Sequence, residues 1–157
     1  MSLPQTVRLH RDDSYLLDFE AQVLAVEWSG DSCELALDRS AFYLESGGQP
    51  SDGGSLAGGT LVGLRAENGV LWHRVALGRE EVPTLGAKIR AQVDKSRRLD
   101  HLQQHSGQHL LSAACVKLGA GDTVSFHLGR EESTLDLSGP EPTRERMRDA
   151  LDLANQC

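Results

Sequence analysis

Between residues 19 and 25 apolar side chains fall on alternate positions, Phe19, Ala21, Val23 and Ala25, with Glu20, Gln22 and Leu24 between them. A period of two predicts a strand with one buried face. The alternation returns at Cys33, Leu35 and Leu37, after the turn signal Gly30-Asp31. A short apolar run over residues 41–44 then leads into a glycine-rich stretch. Residues 60–64 and 70–75 flank the turn dipeptide Asn68-Gly69. That pair predicts a hairpin whose link also takes in Arg65, Ala66 and Glu67. Residues 88–93 read as one more strand, and several short strands separated by turn residues predict a small β-barrel or sandwich.

The period changes near residue 99. Leu99, Leu102, Ser106, Leu110 and Ala113 fall at helical spacing, with Asp100 and Gln103 placed for a capping box. Gly119 and Gly121 end that helix. Strands over 123–128 and 133–137 follow, then Pro140 and Pro142, then a second helix capped by Thr143 and carrying Met147, Ala150, Leu151 and Ala154. The expected class is α+β: a β-barrel domain over 1–95 and an α+β domain over 96–157. The latter stops after its second helix with two strands to cover. It therefore reads as a truncated piece, or as one that a second copy completes in a homodimer.

Composition narrows the function classes. The 157 residues include 39% hydrophobic and 25% charged side chains, enough for a core and ordinary for a soluble protein. No apolar stretch approaches the roughly 18 residues needed to cross a bilayer. The N-terminus lacks a basic region followed by an apolar run, which argues for the cytoplasm and against a membrane partner. Cys33, Cys115 and Cys157 are too few and too scattered for a disulfide framework. The net charge is −7, so an RNA partner must be met by a local patch. The densest patch is Arg90, Lys95, Arg97 and Arg98, for which a solvated face is the plain alternative.

Three segments carry candidate chemistry. His101, His105 and His109 recur every four residues, and imidazoles at that spacing on a helix can grip one zinc ion. On a helical wheel His109 lies nearest the apolar stripe through Leu99, Ser106 and Leu110, His105 next and His101 furthest out. His105 and His109 are thus the expected metal ligands, with His101 facing water or the rim. Position 106 is Ser, so the segment lacks the glutamate of a zinc-protease helix. Residues 45–54 hold four glycines and the polar side chains Glu45, Gln49 and Asp52. A plain surface loop is the alternative there, and the stretch lacks the ending of a phosphate loop. On a strand, Ser125, His127 and Gly129 share one face, either lining a pocket or facing solvent.

In this order the stretches Phe42-Tyr43-Leu44-Glu45-Ser46-Gly47-Gly48-Gln49-Pro50-Ser51-Asp52-Gly53-Gly54, Gln104-His105-Ser106-Gly107-Gln108-His109-Leu110-Leu111-Ser112-Ala113-Ala114 and Ser125-Phe126-His127-Leu128-Gly129 resemble the editing domain of alanyl-tRNA synthetase and its free-standing relatives. The resemblance runs from about Tyr15 to Asn155. It implies a small β-barrel followed by an α+β domain shared with threonyl-tRNA synthetase. It further implies zinc-dependent hydrolysis of serine, and in some members glycine, wrongly esterified to alanine tRNA. His105 and His109 would be the first two zinc ligands, with Gln49 reaching the pocket and Ser125 and His127 joining the catalytic set. The family draws a cysteine and a histidine, four residues apart, from a later segment, and Cys157 cannot begin that pair. The rivals are a non-catalytic tRNA- or partner-binding module and a metal-dependent hydrolase of another ester.

Overall fold

The alternation at Phe19, Ala21 and Val23 belongs to a strand of twelve residues in the computed structural model, which describes residues 3–29, 32–129 and 131–156. The turn dipeptide Gly30-Asp31 and Cys157 lie outside the described residues. The chain divides into two units, one of residues 1–45 and 51–98, the other of 46–50 and 99–157. The expected boundary near 95 thus sits at 98/99, and the centre of the glycine-rich stretch is assigned to the second unit.

In the first unit β1 (Val7–Arg8) pairs in parallel with β4 (Arg39–Ser40). The remaining strands are β2 (Asp18–Ser29), β3 (Ser32–Leu37), β5 (Gly54–Leu56), β6 (Gly59–Glu67), β7 (Val70–Ala76) and β8 (Lys88–Val93). They form one antiparallel sheet in the order β2-β3-β7-β6-β5-β8, and β8 pairs back onto β2 so that the sheet closes on itself. Its core holds Phe19, Val23, Leu35, Leu37, Leu56, Val75 and Val93, with the Phe42 ring set edge-on at 5.5 Å from Phe19. Phe42 lies in an irregular segment, although its neighbours read as an apolar run.

Two sequence expectations change here. Asn68 and Gly69 both have positive φ, 51° and 84°, so β6 and β7 meet in a two-residue turn rather than a five-residue link. The alternation in β3 gives way to burial of every position from Cys33 to Leu37. Ala36 packs in a second cluster with Val70 and Trp72, and Glu34 is covered by Arg65 and Arg74, which hold its carboxylate at 2.6 and 2.9 Å.

One charged pair is fully enclosed. The side chains of Arg98 and Asp52 are 2% and 0% exposed. Arg98 donates to both Asp52 oxygens and to the carbonyls of Ser14 and Ala41, while Asp52 also accepts the Tyr43 N–H. Arg98 therefore has no reach to an RNA phosphate and is withdrawn from the basic patch. A buried guanidinium persists because its donors are matched.

The helix α1 (Lys95–Lys117), which belongs to the second unit from residue 99 on, starts five residues before the expected cap, with the Asp94 carboxylate accepting the Arg97 N–H at 3.1 Å. It ends in a Schellman turn, where Gly119 takes φ +66° and Ala120 N–H reaches back to the Cys115 carbonyl. A hairpin of β9 (Thr123–Leu128) and β10 (Ser133–Leu137) follows, then α2 (Arg144–Ala154), whose cap Thr143 accepts the Arg146 N–H as expected. The core is small: Ala114, Cys115, Ala120 and Ala150, flanked by Leu111, Leu118, Leu137 and Met147. The buried stripe of α1 therefore runs through Leu111, Ala114, Cys115 and Leu118, while Ser106, Leu110 and Ala113 are exposed. His101, expected to face water, is buried at 7% exposure. Cores that choose Leu111 over Leu110 rotate the wheel by one residue, and the ranking of the three histidines by apolar distance falls with it. Among the described residues no helix is long and apolar enough to cross a membrane.

Candidate functional site

Two glycines place the glutamine. Ser46 and Gln49 close a tight turn by exchanging backbone bonds of 3.0 and 3.2 Å, and its central residues Gly47 and Gly48 have φ of +57° and +79°. Such angles are strained for any residue with a Cβ. Gly48 is fixed a second way, because a Cβ there would lie 2.0 Å from the Phe126 carbonyl oxygen. Its own carbonyl accepts the Leu128 N–H at 2.9 Å. The turn thus lies against β9, and the next side chain, Gln49, is buried at 4% exposure.

Gln49 Oε1 lies 2.8 Å from His105 Nδ1. A carbonyl oxygen only accepts, so Nδ1 carries the proton and donates. The lone pair of neutral His105 is then on Nε2, which faces His109 Nε2 at 3.0 Å. Burial first, and then the neighbouring His109, hold the His105 pKa below its ordinary value, which favours this neutral form. The rings stand 4.8 Å apart and 38° from parallel. His105 is half-buried and His109 exposed, so the pair opens to solvent on one side.

The spacing of the two Nε2 atoms matches two corners of a tetrahedral zinc site. Two nitrogens bound at 2.0–2.1 Å on a tetrahedral ion stand about 3.3 Å apart, close to the separation of the two Nε2 atoms. A glutamine accepting from the far ring nitrogen is the kind of outer partner that fixes a metal-binding tautomer. Among the described residues no cluster of three His, Cys, Asp or Glu side chains suited to a metal is present, so the pair stands as two ligands.

The other candidates fall elsewhere. Ser125 and His127 are exposed and share the face of β9 opposite Phe126, and Ser125 donates to Asp136 across the hairpin. Phe126, not they, turns toward the histidines, its ring centroid 6.4 Å from that of His105. Sequence reasoning passed over Phe126, although it is the sole Phe, Trp or Tyr after residue 99. In the basic patch Arg90 is paired with Glu20 at the surface, Arg97 is exposed and donates to the Ser51 carbonyl, and Lys95 is exposed.

No family model matches the chain. Individual relatives do. It is 35% identical over 136 residues to the alanyl-tRNA editing protein AlaX-L of Pyrococcus horikoshii, covering 84% of this chain and 33% of that protein. It is 32% identical over 160 residues to the alanyl-tRNA editing protein AlaX-M of Methanosarcina mazei, covering 96% and 62%. It is 37% identical over 161 residues to the alanine–tRNA ligase of Archaeoglobus fulgidus, covering 98% and 17%. The chain therefore spans less than two thirds of the length of each of these relatives.

Proposed function

The chain belongs to the family of the alanyl-tRNA editing proteins, and from that premise we propose that it hydrolyses the ester between a wrong amino acid, serine or glycine, and alanine tRNA in the cytoplasm. The observation that carries this reading is the convergence of His105 Nε2 and His109 Nε2, with the Gln49 oxygen behind His105.

His105 and His109 would hold zinc, which when bound supplies a Lewis acid to orient the substrate amine or to activate water. The residues themselves do the positioning. Gln49 keeps the His105 proton on Nδ1 and leaves the Nε2 lone pair facing His109. The Gly47-Gly48 turn fixes Gln49 against the helix, so the arrangement costs little reorganisation when substrate arrives. Lys95, Arg97 and Arg90 are the exposed cations proposed to meet tRNA phosphates. For the serine ester, rejection of correctly charged alanine follows if the site hydrogen-bonds the serine hydroxyl, since a site built for a hydroxyl binds its absence poorly; that device does not select glycine. Ser125 and His127, on the face of β9 opposite Phe126, are not used in this reading.

The test is deacylation of serine-charged alanine tRNA, with and without chelator, by the wild type and by Gln49→Ala, His105→Ala and His109→Ala. Hydrolysis that chelator abolishes supports the reading. A Gln49→Ala loss on the order of 10–100-fold, as for outer partners that orient a metal ligand, supports the glutamine's part in it. Hydrolysis untouched by chelator and by all three substitutions rejects the site. The rival, a tRNA-binding module without hydrolysis, draws on the finding that among the described residues two ligating side chains converge; tRNA binding without deacylation is its signature.

A further inference from the structure

We infer that Arg8 and Arg11, side by side on the first turn of the first unit, hold a phosphate of the tRNA backbone. The inference rests on the tRNA partner proposed above and adds a contact outside the Lys95 and Arg97 patch. The turn itself sets the pair. Leu9–Arg11 is a single 3-10 turn with Arg8 at its cap, so the two arginines stand three residues apart. Side chains at that spacing eclipse on a 3-10 turn. Leu9 packs against the barrel core and Arg8 lies opposite Ser40 in the short β1–β4 ladder, so the turn is anchored on both sides.

Neither guanidinium has an anion. Arg39, Arg65, Arg74, Arg90 and Arg98 each reach a carboxylate oxygen within 3.2 Å, whereas among the described residues Arg8 and Arg11 make no ion pair. The chain has 23 Asp and Glu against 16 Lys and Arg, so anions are not scarce. Arg8 is also half-buried, where a lone charge is poorly tolerated. Burial, and then Arg11, hold its pKa below the ordinary value, and no carboxylate acts the other way. The same charge lowers the pKa of both His10 and His73. Asp52 alone opposes this at His10, and its carboxylate is already held by Arg98. Asp12 and Asp13 follow the turn without pairing, and Asp13 accepts the Tyr15 N–H at 2.8 Å. A phosphate supplies the missing negative charge and suits the fork of donors that each guanidinium presents.

Aromatic surface points to RNA rather than a free phosphate as its source. Tyr15 is 70% exposed, which leaves a ring face to stack on a base. The segment that carries it is braced before any ligand arrives. Ser14 Oγ donates to the His10 carbonyl at 3.3 Å, and Arg98 donates to the Ser14 carbonyl at 2.7 Å. The His10 ring stands edge-on to Tyr43 at 5.5 Å, with its Nδ1 buried and without a partner. A buried ring nitrogen with no bond costs stability, so packing alone is a poor reason for a histidine there. With Nδ1 enclosed, Nε2 is the ring nitrogen left to meet a ligand.

The experiment is filter binding of the whole chain to uncharged alanine tRNA across a salt series. Arg8→Gln with Arg11→Gln should raise the Kd about tenfold and lower the salt slope by about one to two. The thermal midpoint should hold or rise, since the substitution removes two neighbouring like charges. Arg8→Lys with Arg11→Lys keeps the charge and should keep most of the slope. Tyr15→Ala should weaken binding severalfold with the slope unchanged. If the double Gln variant fails to fold, exposed Arg11→Gln alone carries the comparison, with the slope lower by about one. An unchanged Kd and slope in a folded Gln variant overturns the site. So does saturable binding of inorganic phosphate, followed by NMR at the His10 ring, when the variants bind tRNA as the wild type does. Deacylation at low tRNA concentration separates the two ideas. Weaker tRNA binding by the variants with no hydrolysis by any form leaves the site standing and removes the proposed reaction; hydrolysis that the variants leave unchanged does the reverse.

Discussion

His73 sets a pH dependence that can be worked through in numbers. Its ring is fully buried, with Nδ1 donating to the Leu35 carbonyl at 3.0 Å and Nε2 facing the Ser40 hydroxyl at 2.8 Å. Ser40 Oγ also accepts the Phe42 N–H, so its hydrogen is free to point at Nε2. Protonation would set a second N–H against that hydroxyl and a charge in the core. Desolvation is accordingly the main cause that lowers the His73 pKa from 6.5 to about 4. Between those values the unfolded chain binds a proton that the folded chain refuses, so stability rises with pH across the window. The contribution is complete above pH 6.5, is lost as pH falls toward 4, and levels off below. At about 1.4 kcal/mol per pH unit, that gap is worth about 3 kcal/mol. The assay is urea unfolding followed by tryptophan fluorescence. Both tryptophans, Trp28 and Trp72, belong to the first unit, so the signal reports that unit. Half-buried His10, whose pKa burial also lowers, acts in the same direction. The wild type is therefore compared with His73→Asn, which keeps an amide donor and acceptor without titrating. The wild type should lose about 3 kcal/mol more than the variant between pH 7 and pH 4. Parallel curves, or an NMR titration placing the His73 pKa near 6.5, would refute the reasoning.

Three further outcomes are expected. Arg98→Met strands the Asp52 carboxylate in a closed space and should cost the first unit about 3–5 kcal/mol in the same unfolding assay. Lys95→Glu with Arg97→Glu should weaken tRNA binding and flatten its salt slope, whereas Arg90→Glu, whose cation already has Glu20, should do less; filter binding between 50 and 200 mM salt measures both. Gly48→Ala combines a left-handed φ with a Cβ 2.0 Å from a carbonyl oxygen, so it should lower the thermal midpoint and reduce zinc content together, read by circular dichroism and metal analysis.

Much of the framework was legible because local rules decide it. The strands at 88–93, 123–128 and 133–137 and the cap at Thr143 follow from alternation and turn chemistry that neighbours reinforce. The faces of α1 were not legible. Its apolar residues include both Leu110 and Leu111, and only packing against α2 and β10 selects the second. Arg98 was misread for a related reason: a basic run shows charge, but burial against an aspartate 46 positions earlier is a tertiary fact. The histidine pair was readable as a spacing. The tautomer of His105 was not, since it depends on a glutamine delivered from 56 positions away.

That distance bears on how the protein is made. Gln49 leaves the ribosome well before His105, and bringing residues 56 apart together costs about 3.5 kcal/mol in chain entropy, beyond a constant. The ends of the turn that carries Gln49 are themselves tied: Glu45 N–H donates to Ser51 Oγ at 2.8 Å within the first unit, which closes residues 46–50 into a short loop. It also follows that no single cut separates the two units. A fragment starting at residue 99 would carry both histidines yet lack the residue that sets the proton on one of them.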